Sequence, residues 1–304
     1  MTNEQRMKNL SVPAGCVDVV LDTDAYNEID DQFAIAYLLS CKEKLDTKAI
    51  YAAPFFNINS EGPADGMERS YHEIFKILDL LGESAEVFRG SNAFMSDERT
   101  PIISDAAADL VQRAKQYSPE NPLYVVAIGA ITNVASAILL DPIVAQNTVV
   151  VWLGGHGRDF IDTREFNMEG DILAARVVMG SGVPLVQLPC MGVVSEFRIS
   201  KPELEYWFRG KNAVSDYLAD NTIRAAERRH KGTPWTRCIW DVTAVAWLMN
   251  DNDALMESRI IPTHVPSLDF VYEQPEDAPP MRYIYQIKRD ALMTDLVNRI
   301  TSRK

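Results

Sequence analysis

Cysteine and histidine are both scarce. The 304-residue chain has four of each: Cys16, Cys41, Cys190 and Cys238, and His72, His156, His230 and His264. All eight are scattered and no CxxC pair occurs, which excludes a zinc knuckle and a disulfide framework. Positive charge is also short. Lys and Arg number 30 against 43 Asp and Glu, a net charge of −13, which argues against nucleic acid or an anionic membrane as partner. Neutral small molecules and metal cations remain as ligands. Residues 1–10 lack the apolar stretch of a signal peptide. The one long stretch without formal charge, residues 123–140, is interrupted by Gly129, Thr132, Asn133 and Ser136 and has no flanking anchors. It reads as strand, turn and helix rather than a membrane span. A cytoplasmic location is the resulting expectation.

With 47% apolar and 24% charged residues, the composition is that of a folded soluble chain. Short β-branched runs predict strands at 17–21, 48–52, 86–88, 123–128, 149–153 and 184–188. Amphipathic stretches predict helices at 31–40, 66–81, 104–117, 133–140 and 170–180. Ala107, Leu110, Val111 and Ala114, for example, recur at helical spacing. Near-continuous apolar strands alternating with helices predict an α/β fold with a mainly parallel, Rossmann-like central sheet flanked by helices. After Cys190 the pattern changes: 201–231 and 241–249 read as helices and 282–287 as a late strand. No linker or repeat intervenes, so one domain over 1–304 is expected, with its core at about 17–250 and a carboxy-terminal elaboration over 190–304. Ligands of such sheets bind beyond the carboxyl ends of the strands.

The informative segment there is VDVVLDTDAYNEIDDQFAIAYLL, residues 17–39. A buried strand runs into Asp22 and Asp24, which alternation places on one side. Asp30 and Asp31 then open an apolar helix. A single Asp pair at a helix start is ordinary capping. Four carboxylates within ten residues repel one another unless a cation compensates, and an all-oxygen donor set suits a hard ion such as calcium or magnesium.

DTD followed by DD and an apolar helix resembles the amino-terminal signature of the nucleoside hydrolases, the inosine-uridine-preferring family, which cleave N-glycosidic bonds of ribonucleosides. Three further segments agree in order. VAIGAITNVASAILLDP (126–142) resembles the family's strand-Gly-x-x-Thr-Asn-helix segment. Residues 150–184 contain Gly154–Gly155, then Glu165–Asn167, Asp171, Ala174–Ala175 and SGVP, and WDVTAVAWL (240–248) resembles the carboxy-terminal metal-ligand segment. The resemblance spans about residues 17 to 250.

The resemblance implies a calcium ion (Ca2+) held by Asp24, Asp31, Asp241 and the backbone carbonyl of Ile128, with Asp24 also taking a proton from water. Asp30 then matches a ribose 2′-hydroxyl partner, Glu165 and Asn167 match groups on the 5′ and 3′ hydroxyls, and Asp159 and Asn57 match further ribose contacts. Asn133 reads as a helix cap. The resemblance also implies a homodimer or homotetramer acting on a small ribonucleoside.

Three departures stand out. Five residues, Ala25 to Ile29, separate DTD from DD where the family usually has three, which brings Tyr26, Asn27 or Glu28 toward the site. Asp159 stands where the family often has Asn. Trp240 replaces the His with which the inosine-uridine branch protonates the leaving base, and resembles the purine-preferring branch, in which indoles stack on the base. Phe55, Phe56 and Trp235 are candidate second walls, and His230, beside Arg228 and Arg229, is the alternative acid. Competing readings are a ribosyl-binding descendant without turnover and a phosphatase with DxD after its first strand.

Overall fold

The run Val17–Thr23 forms β1, an interior strand of the sheet, because Val19, Val20 and Leu21 present apolar side chains to both faces and are fully buried. The computed structural model describes residues 1–303. After β1 come α1 (Asp31–Leu38), β2 (Leu45–Ala52), α2 (Pro63–Leu81), β3 (Val87–Arg89), α3 (Asp105–Ala114), β4 (Leu123–Ala127) and α4 (Thr132–Leu140). Then follow β5 (Thr148–Leu153), α5 (Phe166–Gly170), α6 (Ile172–Gly180), β6 (Leu185–Leu188), α7 (Ala213–Arg229) and α8 (Val242–Leu248). The last elements are β7 (Met256–Pro262), β8 (Pro280–Ile287) and α9 (Arg289–Thr301).

Eight strands pair in the order β3-β2-β1-β4-β5-β6-β8-β7. All pairs are parallel except β8 with β7. The fold is therefore α/β with a mainly parallel sheet, as the alternation predicts. Alternate residues feed two cores. Val19 and Leu21 pack with Phe33 of α1 and Trp247 of α8, while Val20 packs with Leu110 of α3 and Val134 of α4. The chain leaves β1 for β2 on one side, and β4 lies on the other. The loops after β1 and β4 therefore diverge, opening a crevice at the carboxyl edge.

Two expectations need correction, and one strand is new. The stretch 201–231 is not one helix: after Lys201–Glu203 and a π turn at Leu204–Phe208 the chain breaks, with Gly210 at φ 75°. Asn212 then accepts from the Ser215 amide at 2.9 Å and caps α7 anew. The stretch 170–180 is split by Asp171, whose side chain caps α6 while α5 precedes it. Strand β7 was not anticipated; its seven residues alternate only weakly in burial, as suits an edge. The charge-free stretch 123–140 is strand β4, a turn and helix α4, and no helix among the described residues is long and apolar enough to cross a membrane.

Candidate active site

Five carboxylates meet at the crevice from four parts of the chain. Asp24 follows β1, Asp30 and Asp31 open α1, Asp241 precedes α8, and Glu165 caps α5. All five line a cavity of about 310 Å³ together with Ile128, Asn167 and Trp240. Asp24, Asp30, Asp31 and Asp241 are at most 4% exposed. Oxygens of Asp30, Asp31 and Asp241 all fall within 4.8 Å of one another, and Asp31 also contacts Asp24.

Local structure fixes each carboxylate. Thr23 is the last residue of β1, and its hydroxyl donates to Asp31 Oδ1 at 2.5 Å. The backbone amide of Trp240 donates to Asp30 Oδ2 at 3.1 Å, tying the loop before α8 to the start of α1. Gly129 lets Asp24 lie close: a Cβ there would stand 3.1 Å from Asp24 Cγ. Glu165 accepts from the amides of Gly155, Asn167 and Met168. Gly155 reaches that position at φ 75°, where a side chain would also strike Thr163 and Tyr272. The Asn167 amide donates to the carbonyls of Ile128 at 3.2 Å and Leu153 at 3.0 Å, so it orients the Ile128 oxygen at the cavity wall.

Burial governs the electrostatics. It pushes Asp24 and Asp241 well above the ordinary carboxylate range, and the neighbouring aspartates push further. Asp30 rises to about 8 through burial and the charges of Glu28 and Asp31, against the pull of Arg237. Asp31 rises only to about 6, since burial is offset by hydrogen bonds from Thr23, Asp241 and Asp24. Glu165 is raised by burial and relieved by its three amides. Asp24 Oδ2 is buried without a partner. The oxygen donors of Asp24, Asp31, Asp241 and the Ile128 carbonyl, with an unpartnered Asp24 oxygen among them, fit a hard divalent ion, which would compensate this repulsion.

Not every anticipated residue arrives. Asp22, inside β1, does not line the cavity with Asp24, which lies beyond the strand's last residue, Thr23. Asp22 instead accepts from Asn133 Nδ2 at 2.7 Å and is raised to about 7 by burial. Asn133 is no helix cap: it also accepts from the Ser91 amide and hydroxyl. Asp159 is exposed in a turn outside the cavity lining. Asn57 lines the cavity, but its amide group donates to Asn27 at 2.5 Å and its oxygen accepts from the Asn59 amide. Phe55 is core, Phe56 is exposed and Trp235 packs on the core, so none is a wall. His230 ends α7, exposed and away from the lining.

His156, Arg164, Phe166, Cys190 and Met191 line the cavity although sequence reasoning did not single them out. Cys190 and Met191 follow β6 and His156 follows β5, so the strand-end rule alone would have found them. Burial lowers His156, whose Nδ1 has no partner. Asn27 and Glu28 of the lengthened loop do reach the cavity, while Tyr26 lies in a neighbouring one.

Comparison with known proteins gives the family and the fold. The profile described as "Inosine-uridine preferring nucleoside hydrolase" matches residues 19–268. The pyrimidine-specific ribonucleoside hydrolase RihA of Citrobacter koseri is 26% identical, over 72% of this chain and 76% of that protein. The non-specific ribonucleoside hydrolase RihC of Salmonella paratyphi B is 25% identical, over 80% of this chain and 82% of that one. Among solved structures, the purine-preferring ribonucleoside hydrolase from Gardnerella vaginalis superimposes with a TM-score of 0.73 at 20% identity, covering 93% of this chain and 98% of that one.

Proposed function

This chain belongs to the inosine-uridine preferring nucleoside hydrolase family, N-glycosidases acting on nucleosides, and on that premise we propose that it hydrolyses ribonucleosides to base and ribose with calcium as its ion and with purines favoured. The observation that carries the proposal is the convergence of buried Asp24, Asp30, Asp31 and Asp241 at one cavity floor.

Asp24, Asp31, Asp241 and the Ile128 carbonyl would hold the ion. When bound, a divalent cation supplies a lowered pKa for water and a grip on a sugar diol. The rest of the chemistry falls to side chains. Breaking a ribosyl C–N bond builds positive charge on the sugar, and the fixed carboxylates around the ring oppose it. Asp24 has a buried, unpartnered oxygen, suited to accept the proton of an attacking water. Asp30 keeps one oxygen for a ribose hydroxyl while the Trp240 amide holds the other. Glu165, fixed by three amides, and the free oxygen of Asn167 receive the remaining hydroxyls. Trp240 is half-buried at the lining and offers a face for the base, where stacking adds about 1 kcal/mol. The relatives' names span pyrimidine-specific, non-specific and purine-preferring enzymes, so Trp240 alone carries the purine preference. A phosphatase reading has less support, since the lining offers Arg164 but no lysine beside Asp24.

Incubation with inosine, adenosine, guanosine and uridine, with ribose measured, tests the proposal. Release is expected to stop on chelation and to fall on the order of 100-fold or more in Asp24→Asn. Ribosides that bind but are never cleaved would overturn the hydrolase reading and leave a ribosyl-binding protein.

A further inference from the structure

His156 is the one histidine in the lining of the acidic cavity, and the metal, the water and the base all have other partners there. It follows Gly155, whose amide donates to Glu165 at 2.9 Å. The ring therefore stands one residue from the clamp on the carboxylate that receives the 5′-hydroxyl. Its own amide donates to Thr163 Oγ1 at 3.0 Å. The Gly157 amide donates to the Met191 carbonyl, and the Cys190 amide to the Gly155 carbonyl, both at 2.8 Å. Phe160 closes against the imidazole, with ring centroids 5.4 Å apart. The loop 155–163 is thus tied at both ends, and half-buried His156 is held in one place near Glu165.

Three observations give this imidazole a ligand to meet. Nδ1 is buried and has no hydrogen-bond partner, a costly state for a ring nitrogen that must either donate or accept. Burial also lowers the proton affinity of the ring, against the pull of Asp162 and the Arg164 backbone. At pH 7 it is neutral, so it can donate without bringing a second cation to a metal-binding cavity. Finally, Asp159, which the resemblance matched to a ribose contact, is exposed and outside the lining. The contact expected of this loop is left to another of its side chains. Arg164, the remaining basic group of the lining, is occupied: it donates to Glu169 at 2.8 Å and lies 3.9 Å from the ring centroid of Phe270.

We propose that His156 is a specificity-determining residue that holds the ribose 5′-oxygen together with Glu165, restricting the enzyme to ribosides with a free 5′-hydroxyl. The inference rests on the ribosyl-binding reading above and narrows its substrate class. A hydroxyl has one proton to give and lone pairs to receive another. Glu165 takes the proton, and an imidazole N–H donates to a lone pair, so the two side chains together complement a hydroxyl. A 5′-deoxy or 5′-methylthio group would leave both of them unpaired, the kind of loss by which a polar site rejects an analogue lacking its hydroxyl. Phe166 and Met191, in the same lining, are apolar and offer such groups no obstacle. The polarity of the loop is what turns them away.

The test compares adenosine, 5′-deoxyadenosine and 5′-methylthioadenosine on the full-length protein, with adenine release and calorimetric binding both measured. Wild type is expected to favour adenosine over both analogues by about tenfold or more in kcat/KM. His156→Leu should lose about tenfold on adenosine and change little on the analogues, so that the preference narrows by the same factor. His156→Asn, which keeps a polar group near the Nδ1 position, should recover part of it. Melting temperatures check that both variants are folded. Equal rates and equal binding for adenosine and 5′-deoxyadenosine in wild type overturn the inference without any variant. An equal loss on all three substrates in His156→Leu does so too, because that marks a group serving the leaving base or the fold. A His156-dependent preference in binding with no adenine released would sink the hydrolytic reading and leave this inference standing. Release of adenine with a preference that neither variant changes does the reverse.

Discussion

Asp22 and Asp24 are two residues apart, equally buried and of one chemistry, yet their surroundings give them separate tasks. Each keeps one buried oxygen without a partner, but Asp22 is held by Asn133 outside the cavity lining, while Asp24 lines the cavity. At position 240 the decisive fact is an indole in place of an imidazole. If the base rests on Trp240, Trp240→Ala should raise KM for inosine and guanosine about fivefold, the equivalent of one stacked pair, and raise that for uridine less. Equal changes for all three, measured by initial rates, would count against stacking. His156 sits in the same lining with its proton affinity lowered by burial.

At the scale of elements, one buried side chain ties β1, β2 and α4 together. Asn133, on the first turn of α4, donates to Asp22 of β1 and to the Ala52 carbonyl of β2, and receives the Ser91 amide. Replacing it by Leu leaves those buried groups unpaired, which costs roughly 2–4 kcal/mol. Urea denaturation is expected to show that loss, and a change below about 0.5 kcal/mol would mean that water restores the network. Helix boundaries were less legible than helices. The break at Gly210 and the cap at Asn212 are carried by single residues, which a periodicity over 201–231 averages away.

Across the whole molecule, buried acids make stability depend on pH in an unusual direction. Asp22, Asp30 and Asp31 have folded-state values of about 7, 8 and 6, above their unfolded value of roughly 3.9. Their contribution is greatest below the unfolded value and is lost as pH rises through the folded ones. Carboxylates held low by partners, such as Glu83 between Lys42 and Arg303, act oppositely but only as pH falls below about 4.5. Between pH 5 and 8 the metal-free protein should therefore lose melting temperature as pH rises. Calcium, binding the ionised carboxylates, should restore most of it at pH 8. A chelated sample whose melting temperature climbs over that interval would contradict this electrostatic account.

Periodicity and composition sufficed for the α/β alternation and for the position of most strands, because a strand buried on both faces must be apolar throughout. The cluster after β1 was legible for a related reason: closely spaced carboxylates beside an apolar run are too costly to occur without compensation. Sequence distance hid the rest. Only the family resemblance joined Asp241 to Asp31; that Asp159 stays in solvent and that Arg237 meets Glu28 depend on how loops leave the sheet. Local chemistry is written residue by residue, whereas the contacts between remote loops are decided by the packing of both faces of the sheet, which no short window of sequence contains.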